Sequence, residues 1–81
     1  MPKTVGSKRQ KKLVELLVAH RKKAGLRQED LAKKLKVGQS LVANIESGQR
    51  RIDLIELLEM LEAMGFEPRQ TISKIVKDLG E

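Results

Sequence analysis

Apolar residues recur every three or four positions along most of the chain, which is the spacing of one face of an α-helix. Glycines and short polar stretches interrupt this pattern and divide it into five segments. We therefore predict helices at about residues 8–24, 28–34, 39–47, 54–64 and 69–79. Because Phe66 is the one aromatic residue, the core must be built from aliphatic side chains, which pack readily between helices. The expected fold class is all-α, with five helices.

Local patterns mark the starts of several of these helices. Ser7 with Gln10, and Asp53 with Glu56, fit the capping box, in which residues three apart satisfy each other's backbone N–H groups. Pro68 suits the first turn of the fifth helix. The fourth helix has a leucine stripe that we expect to face the core, and it consists of Leu54, Leu57, Leu58 and Leu61.

The second and third predicted helices are short and are joined by a tight turn at Gly38. The third is too short to persist without packing against other helices. Its outward positions, Gln39, Ser40, Ala43 and Asn44, carry small or amide side chains. An amide can donate and accept hydrogen bonds together, as the N6/N7 edge of adenine requires. The pattern predicts a helix-turn-helix over residues 28–48 that places its second helix in the DNA major groove.

Charge is distributed unevenly along the chain, which carries a net charge of +6. Residues 1–51 contain 14 Lys and Arg against 4 Asp and Glu, whereas residues 52–81 contain 3 against 7. A basic surface beside an acidic one is typical of a protein that binds a polyanion on one side only. The alternative is a solvated basic helix face with no partner.

Several classes of function are disfavoured by what the chain lacks. It has no cysteine and a single histidine, so we expect no disulfide, no metal site and no cofactor. No nucleophile with a base and an orienting group can be assembled from the remaining residues, which argues against an enzyme. The longest apolar stretch, residues 13–19, is too short to span a bilayer, and we expect a cytoplasmic protein.

Four motifs follow one another in the middle of the chain: QEDLA at 28–32, QS at 39–40, IE at 45–46 followed by Gly48, and LL at 57–58. Together with the segment AGLRQEDLAKKLKVGQSLVANIESGQRR, residues 24–51, they resemble the Cro and lambda-repressor-like family of helix-turn-helix proteins, the XRE type. The resemblance covers about residues 13–66 and implies a lambda-repressor-like fold of five helices.

The resemblance also implies roles for individual residues. Gln39, Ser40 and Asn44 would contact bases, and Gln28 would touch a phosphate while bracing Gln39. The other residues expected at the DNA backbone are Arg27, Lys36, Gln49, Arg50 and Arg51.

Five further positions are interpreted through the same resemblance. Arg21 and Glu46 would form a buried ion pair that joins the first helix to the end of the recognition helix. Relatives commonly have glycine where this chain has Lys36, and Ser or Thr where it has Gly38, so we expect a slightly different turn. His20 occupies the position of a core residue and is interpreted as half-buried packing.

The expected layout is a basic arm at residues 1–6, a helix-turn-helix domain at 7–66 and a C-terminal helix at 67–81 that takes part in dimerisation. One helix in one groove buries too little surface for high specificity, which is why such domains bind as two-fold dimers. The apolar residues expected at the dimer face are Met60, Met64, Phe66, Ile72, Ile75, Val76 and Leu79. Alternatively, Phe66 and Ile72 complete the core of the monomer.

The function expected from these features is a homodimeric repressor that binds double-stranded DNA at a palindromic operator. Two alternatives remain open. The chain could be the DNA-binding antitoxin of a toxin–antitoxin pair, with the toxin as a second partner. It could also be a helical protein-interaction module whose basic face is incidental.

Overall fold

The computed structural model describes residues 7–80. It contains five α-helices: α1 Lys8–Lys23, α2 Gln28–Leu35, α3 Gln39–Glu46, α4 Leu54–Ala63 and α5 Pro68–Gly80. No strand occurs within that range. The predicted fold class and all five predicted helices are therefore confirmed. No predicted helix end differs from the observed end by more than one residue. The predicted arm at residues 1–6 lies outside the described residues.

Four helices begin with hydrogen bonds between residues three apart, and at α5 the backbone N–H of Gln70 donates to Glu67 Oε1 at 2.9 Å. Asp53 and Glu56 form the complete capping box at α4, with each side chain accepting from the other's backbone N–H. At α1 the structure shows half of the predicted box, in which Ser7 Oγ accepts from the Gln10 N–H. At α2, Asp30 accepts from the backbone N–H of Arg27, a contact that we did not predict.

Two clusters of buried side chains make up the core. One lies between α2, α3 and α4, and the other joins α1 to α4. Ile52 and Phe66 pack against both and connect them. The first cluster consists of Leu31, Ala32, Val42, Ile45, Met60 and Met64, and the second of Leu17, Leu57 and Leu61. Because Val42 and Ile45 are almost completely buried, α3 is held from behind and its opposite face is left to solvent.

Most of the apolar residues that we expected at a dimer face lie in the chain's own core. Met60, Met64 and Ile75, which we expected at a dimer face, are buried within the monomer, so that part of the prediction is wrong. Phe66 and Ile72 are partly buried and pack against the core clusters. They complete the monomer core, as the alternative interpretation proposed.

His20 contributes to the same packing. Its ring lies edge-on to the ring of Phe66, with 4.7 Å between the centroids, and its Nδ1 atom is 2.6 Å from the carbonyl oxygen of Leu16. The residue is half-buried. This is the packing role that we predicted.

The turn between α2 and α3 has left-handed backbone at Lys36, with φ 60° and ψ 42°. This is the position where relatives of the resembled family have glycine. A left-handed conformation costs an ordinary L-residue about 1–2 kcal/mol. Gly38 occupies the N-cap of α3 and provides no side-chain hydrogen bond there. Lys36 therefore adopts the left-handed backbone that favours glycine, at some cost in stability.

Replacing Lys36 by glycine should consequently stabilise the protein. We expect the free energy of unfolding of Lys36→Gly to rise by about 1 kcal/mol, measured by urea or thermal denaturation. Lys34→Gly is the matched control, because Lys34 is an exposed lysine inside α2 with helical backbone. It should lose about 1 kcal/mol. A loss of stability in both variants would contradict the strain at Lys36.

Candidate nucleic-acid interface

The exposed face of α3 carries the three residues predicted to contact bases. Gln39, Ser40 and Asn44 are all exposed, and Ala43 between them is partly buried. Residues four apart in a helix lie one above the other, so Ser40 and Asn44 form one row on this face. The face thus presents two amides and a hydroxyl, which are groups that hydrogen-bond to base edges.

A buried polar network fixes the C-terminal end of α3. The Arg21 guanidinium donates from Nε to Glu46 Oε2 at 2.7 Å and from Nη2 to Oε1 at 3.0 Å. The side chains of Arg21 and Glu46 are only 10% and 6% exposed. Arg21 Nη1 also donates to the carbonyl of Leu26 at 2.8 Å. The ion pair implied by the resemblance is present, and it connects α1, the α1–α2 loop and α3.

Gln28 belongs to the same network. Its Nε2 donates to Glu46 Oε1 at 2.9 Å, across 18 residues of sequence. We expected Gln28 to brace Gln39, at the start of α3. The Gln28 side chain instead binds Glu46, at the opposite end of that helix, so this expectation is wrong. The N-terminus of α2 is nevertheless fixed relative to α3, which is what a pair of helices acting as one rigid unit requires.

Arg27 lies at the N-terminus of α2 and pairs with two carboxylates. It donates to Asp30 at 3.1 and 3.2 Å and lies 3.4 Å from Glu29, while its side chain stays 72% exposed. The hydrogen bonds from its guanidinium hold the pKa of the Asp30 carboxyl below the ordinary value of 3.8. Asp30 is thus ionised at neutral pH, and the positive charge of Arg27 is partly offset.

The loop between α3 and α4 turns back against the end of α3. The backbone N–H groups of Gln49 and Arg50 both donate to the carbonyl of Asn44, at 3.0 and 3.1 Å. Gly48 precedes them with φ +85°, a backbone conformation that favours glycine. Gln49, Arg50 and Arg51 are exposed on this loop. Their position beside the exposed face of α3 is compatible with contacts to the DNA backbone.

Arg50 makes the closest exposed ion pair among the described residues. Its guanidinium donates from Nη1 to Glu56 Oε1 at 2.8 Å and from Nη2 to Oε2 at 2.7 Å. This bidentate pair holds the pKa of the Glu56 carboxyl below its ordinary value of 4.5. We did not predict the pair of Arg50 with Glu56. The sequence pattern assigns Glu56 to the α4 capping box, and the family resemblance assigns Arg50 to a phosphate.

The remaining basic candidates lie around this unit. Lys36 is exposed in the turn. Arg9 of α1 and Arg51 line one cleft, together with Leu79 of α5. The start of α1 and the end of α5 therefore both lie next to the α3–α4 loop.

Two exposed apolar residues at the start of α4 form a feature that the predicted set of sites does not include. Leu54 is 63% exposed and Ile55 is 60% exposed. Leu54 was expected in the core stripe, so that prediction is wrong. From the predicted dimer set, Val76 is 58% exposed and Leu79 is partly exposed. A pair of apolar residues at adjacent positions of an amphipathic helix is the sequence pattern that could have indicated this surface, since both cannot face one core.

Two other features are absent from residues 7–80. No cluster of three or more His, Cys, Asp or Glu side chains is placed to hold a metal ion. None of the helices is both long and apolar enough to cross a membrane.

The fold and the exposed face of α3 define a helix-turn-helix domain. A profile of the HTH_3 family, Helix-turn-helix, matches residues 17–70, and the chain belongs to this family. It is a DNA-binding regulator of the XRE type.

Solved structures agree with this assignment. An XRE-family like protein from Pseudomonas syringae pv. tomato str. DC3000 is 36% identical, with a TM-score of 0.78 over 83% of this chain and 82% of that one. Two mutants of the restriction-modification controller protein C.Esp1396I share the fold at lower identity. One is 20% identical, with a TM-score of 0.79 over 93% of this chain and 95% of that one. The other is 19% identical, with a TM-score of 0.80 over 93% and 100%. No curated protein matches the sequence.

Proposed function

We propose that the protein is a homodimeric repressor that binds a palindromic operator through the major groove and acts in the cytoplasm by occupying the site. The observation that carries this proposal is the exposed face of α3, with Gln39, Ser40 and Asn44 on a helix fixed from behind. In this proposal the N-terminal end of α3 contacts base edges, with Gln39 as the principal residue.

The DNA backbone is contacted on both sides of this helix. On the α2 side we propose Gln28 and Arg27, with Lys36 in the turn. On the other side we propose Gln49, Arg50 and Arg51 in the α3–α4 loop. Contacts of this kind fix the orientation of the protein on the duplex without reading sequence.

A salt titration with duplex DNA of random sequence tests whether this surface binds nucleic acid. Non-specific binding is almost wholly electrostatic, so we expect log K to fall linearly with log[salt], with Kd about 10⁻⁴–10⁻⁶ M at physiological salt. A single-stranded oligonucleotide of the same composition should give a shallower slope. Failure to bind any duplex at low salt would contradict the proposal and favour the protein-interaction module.

The dimer in this proposal forms through a surface that we call the dimer patch: Leu54, Ile55, Val76 and Leu79. Two DNA-reading helices must lie about one helical turn of DNA apart, so the two-fold axis has to pass close to the DNA-contacting loop. Leu54 and Ile55 directly follow that loop, and Leu79 lines the same cleft as Arg51. Burying a large aliphatic side chain contributes about 1.5–3 kcal/mol, and two-fold symmetry doubles each contribution.

A charge placed in the dimer patch should therefore separate the protomers. For Ile55→Asp we expect a monomer by analytical ultracentrifugation at concentrations where the parent chain is a dimer, and a loss of affinity for a palindromic site. Lys74→Asp is the control for added negative charge, because it makes a larger charge change than Ile55→Asp at an exposed position of α5, next to buried Ile75 and on the side of the helix away from Val76. An unchanged molecular mass for Ile55→Asp would exclude the dimer patch.

A further inference from the structure

The Arg50 guanidinium is already engaged before any DNA arrives. It donates to both carboxylate oxygens of Glu56, at 2.7 and 2.8 Å, and Nη1 also donates to the backbone carbonyl of Arg51 at 2.9 Å. These three contacts occupy three of the five N–H groups that an arginine carries. A phosphate that binds Arg50 must therefore either use the remaining N–H groups or displace the carboxylate.

Glu56 is itself held in place and does not depend on Arg50 for its position. It is the third residue of α4, and its Oε1 accepts from the backbone N–H of Asp53 at 3.1 Å. Its own backbone N–H donates to Asp53 Oδ1 at 2.7 Å. The capping box thus fixes a carboxylate beside the α3–α4 loop, and this loop is where the proposed function places phosphate contacts.

The charges on this pair oppose each other at the DNA surface. A bidentate carboxylate cancels most of the field of the guanidinium at distances beyond a few ångströms, and its own charge repels a phosphate. The α3–α4 loop is therefore less cationic than its sequence suggests, and Glu56 is the reason.

We propose that Glu56 sets the DNA affinity of this protein by neutralising Arg50. In this way it weakens the protein's affinity for DNA of random sequence. This inference rests on the proposed function. Glu56 is a residue that tunes specificity through another side chain and need not touch DNA. Because non-specific affinity comes almost entirely from phosphate neutralisation, one masked arginine lowers it without removing any base contact.

The size of the effect follows from counterion release. Each additional phosphate that is neutralised steepens the slope of log K against log[salt] by about 0.9. At 0.1 M salt, one such contact corresponds to a gain of about five- to tenfold in affinity. Glu56→Gln should therefore bind a random duplex about five- to tenfold more tightly, with a slope steeper by about 1. Glutamine keeps the carbonyl oxygen that accepts from Asp53, so the α4 cap is retained.

Three variants make the experiment specific. Glu59→Gln is the matched control: it removes the same charge at an exposed position less than one turn further along α4, and none of the ion pairs within residues 7–80 involves it. Arg50→Gln provides the background in which Glu56 has no arginine to neutralise. In the Arg50→Gln background, Glu56→Gln should gain clearly less than it gains in the parent chain. Thermal unfolding of each variant establishes that the fold is retained.

The outcomes separate this inference from the proposed function. A gain for Glu56→Gln that exceeds the gain for Glu59→Gln and disappears without Arg50 supports it. Equal gains for the two glutamate variants would reduce the effect to net charge and overturn it. Weaker binding by Glu56→Gln would overturn it as well, because Glu56 would then position Arg50 for the phosphate. If the parent chain binds no duplex at any salt concentration, the proposed function itself fails.

Discussion

Truncation of Glu46 to alanine should destabilise the protein by about 3–5 kcal/mol, because it leaves the Arg21 guanidinium buried without its counter-charge. It also removes the acceptor for the Gln28 amide. Domains of this size are stable by only about 5–15 kcal/mol, so the loss would take a large share of the total. We expect the midpoint of thermal unfolding to fall by at least about 12 °C, followed by circular dichroism at 222 nm.

Two comparisons separate the buried pair from a general effect of the substitution. Glu59→Ala removes an exposed glutamate from α4 and should change stability by less than about 0.5 kcal/mol. Replacing both partners, Arg21→Met with Glu46→Leu, should recover much of the loss, since a buried ion pair is often no more stabilising than apolar residues of similar volume. If Glu46→Ala unfolds within a degree or two of the parent chain, the network does not hold α3 in place.

Removal of the Gln39 side chain should abolish discrimination at one base pair of each half-site. A bidentate contact between an amide and an adenine contributes about 1–3 kcal/mol of discrimination, which corresponds to roughly 5- to 150-fold in relative affinity. Gln39→Ala should therefore lose affinity for the operator while its affinity for random duplex stays unchanged, because the latter comes from phosphates. Fluorescence anisotropy with the two duplexes at one salt concentration measures both.

Gln49→Ala is the control for this prediction. It removes the same amide from the α3–α4 loop, where we propose a contact with the DNA backbone, and it should weaken operator and random duplex by similar factors. Equal losses on both duplexes for Gln39→Ala would show that Gln39 does not contact a base.

Much of the fold could be predicted from local pattern. The helices follow from apolar spacing and from caps such as Asp53, whose partners lie three residues away. The ion pair of Arg21 with Glu46 came from a family resemblance, which carries long-range information that a single sequence does not. The least predictable parts were contacts between residues far apart in the chain.

The incorrect predictions have a common physical origin. Periodicity shows that a helix has an apolar face but not which neighbour covers it, so Met60 and Ile75 were placed at a dimer face although the monomer core takes them. For the same reason Leu54 was placed in the core, although α4 turns it to solvent in its first turn.

Polar side chains present a related difficulty, because each can satisfy several partners. Gln28 was expected to brace Gln39 and is bound to Glu46 instead. Arg50 suits a phosphate and a carboxylate equally well, and only the geometry of the α3–α4 loop shows that Glu56 reaches it. Such choices depend on the positions of side chains that come together after folding.

Selection of bound sequences from a pool of random duplexes tests the central claim most directly, with the mass of the complex measured alongside. We expect an enriched palindrome whose half-sites are about 10–10.5 base pairs apart, bound by two protomers. In the same selection, Gln39→Ala should lose preference at one position in each half-site. A pool that remains random after several rounds, although the protein binds duplex DNA, would contradict the claim that α3 reads bases.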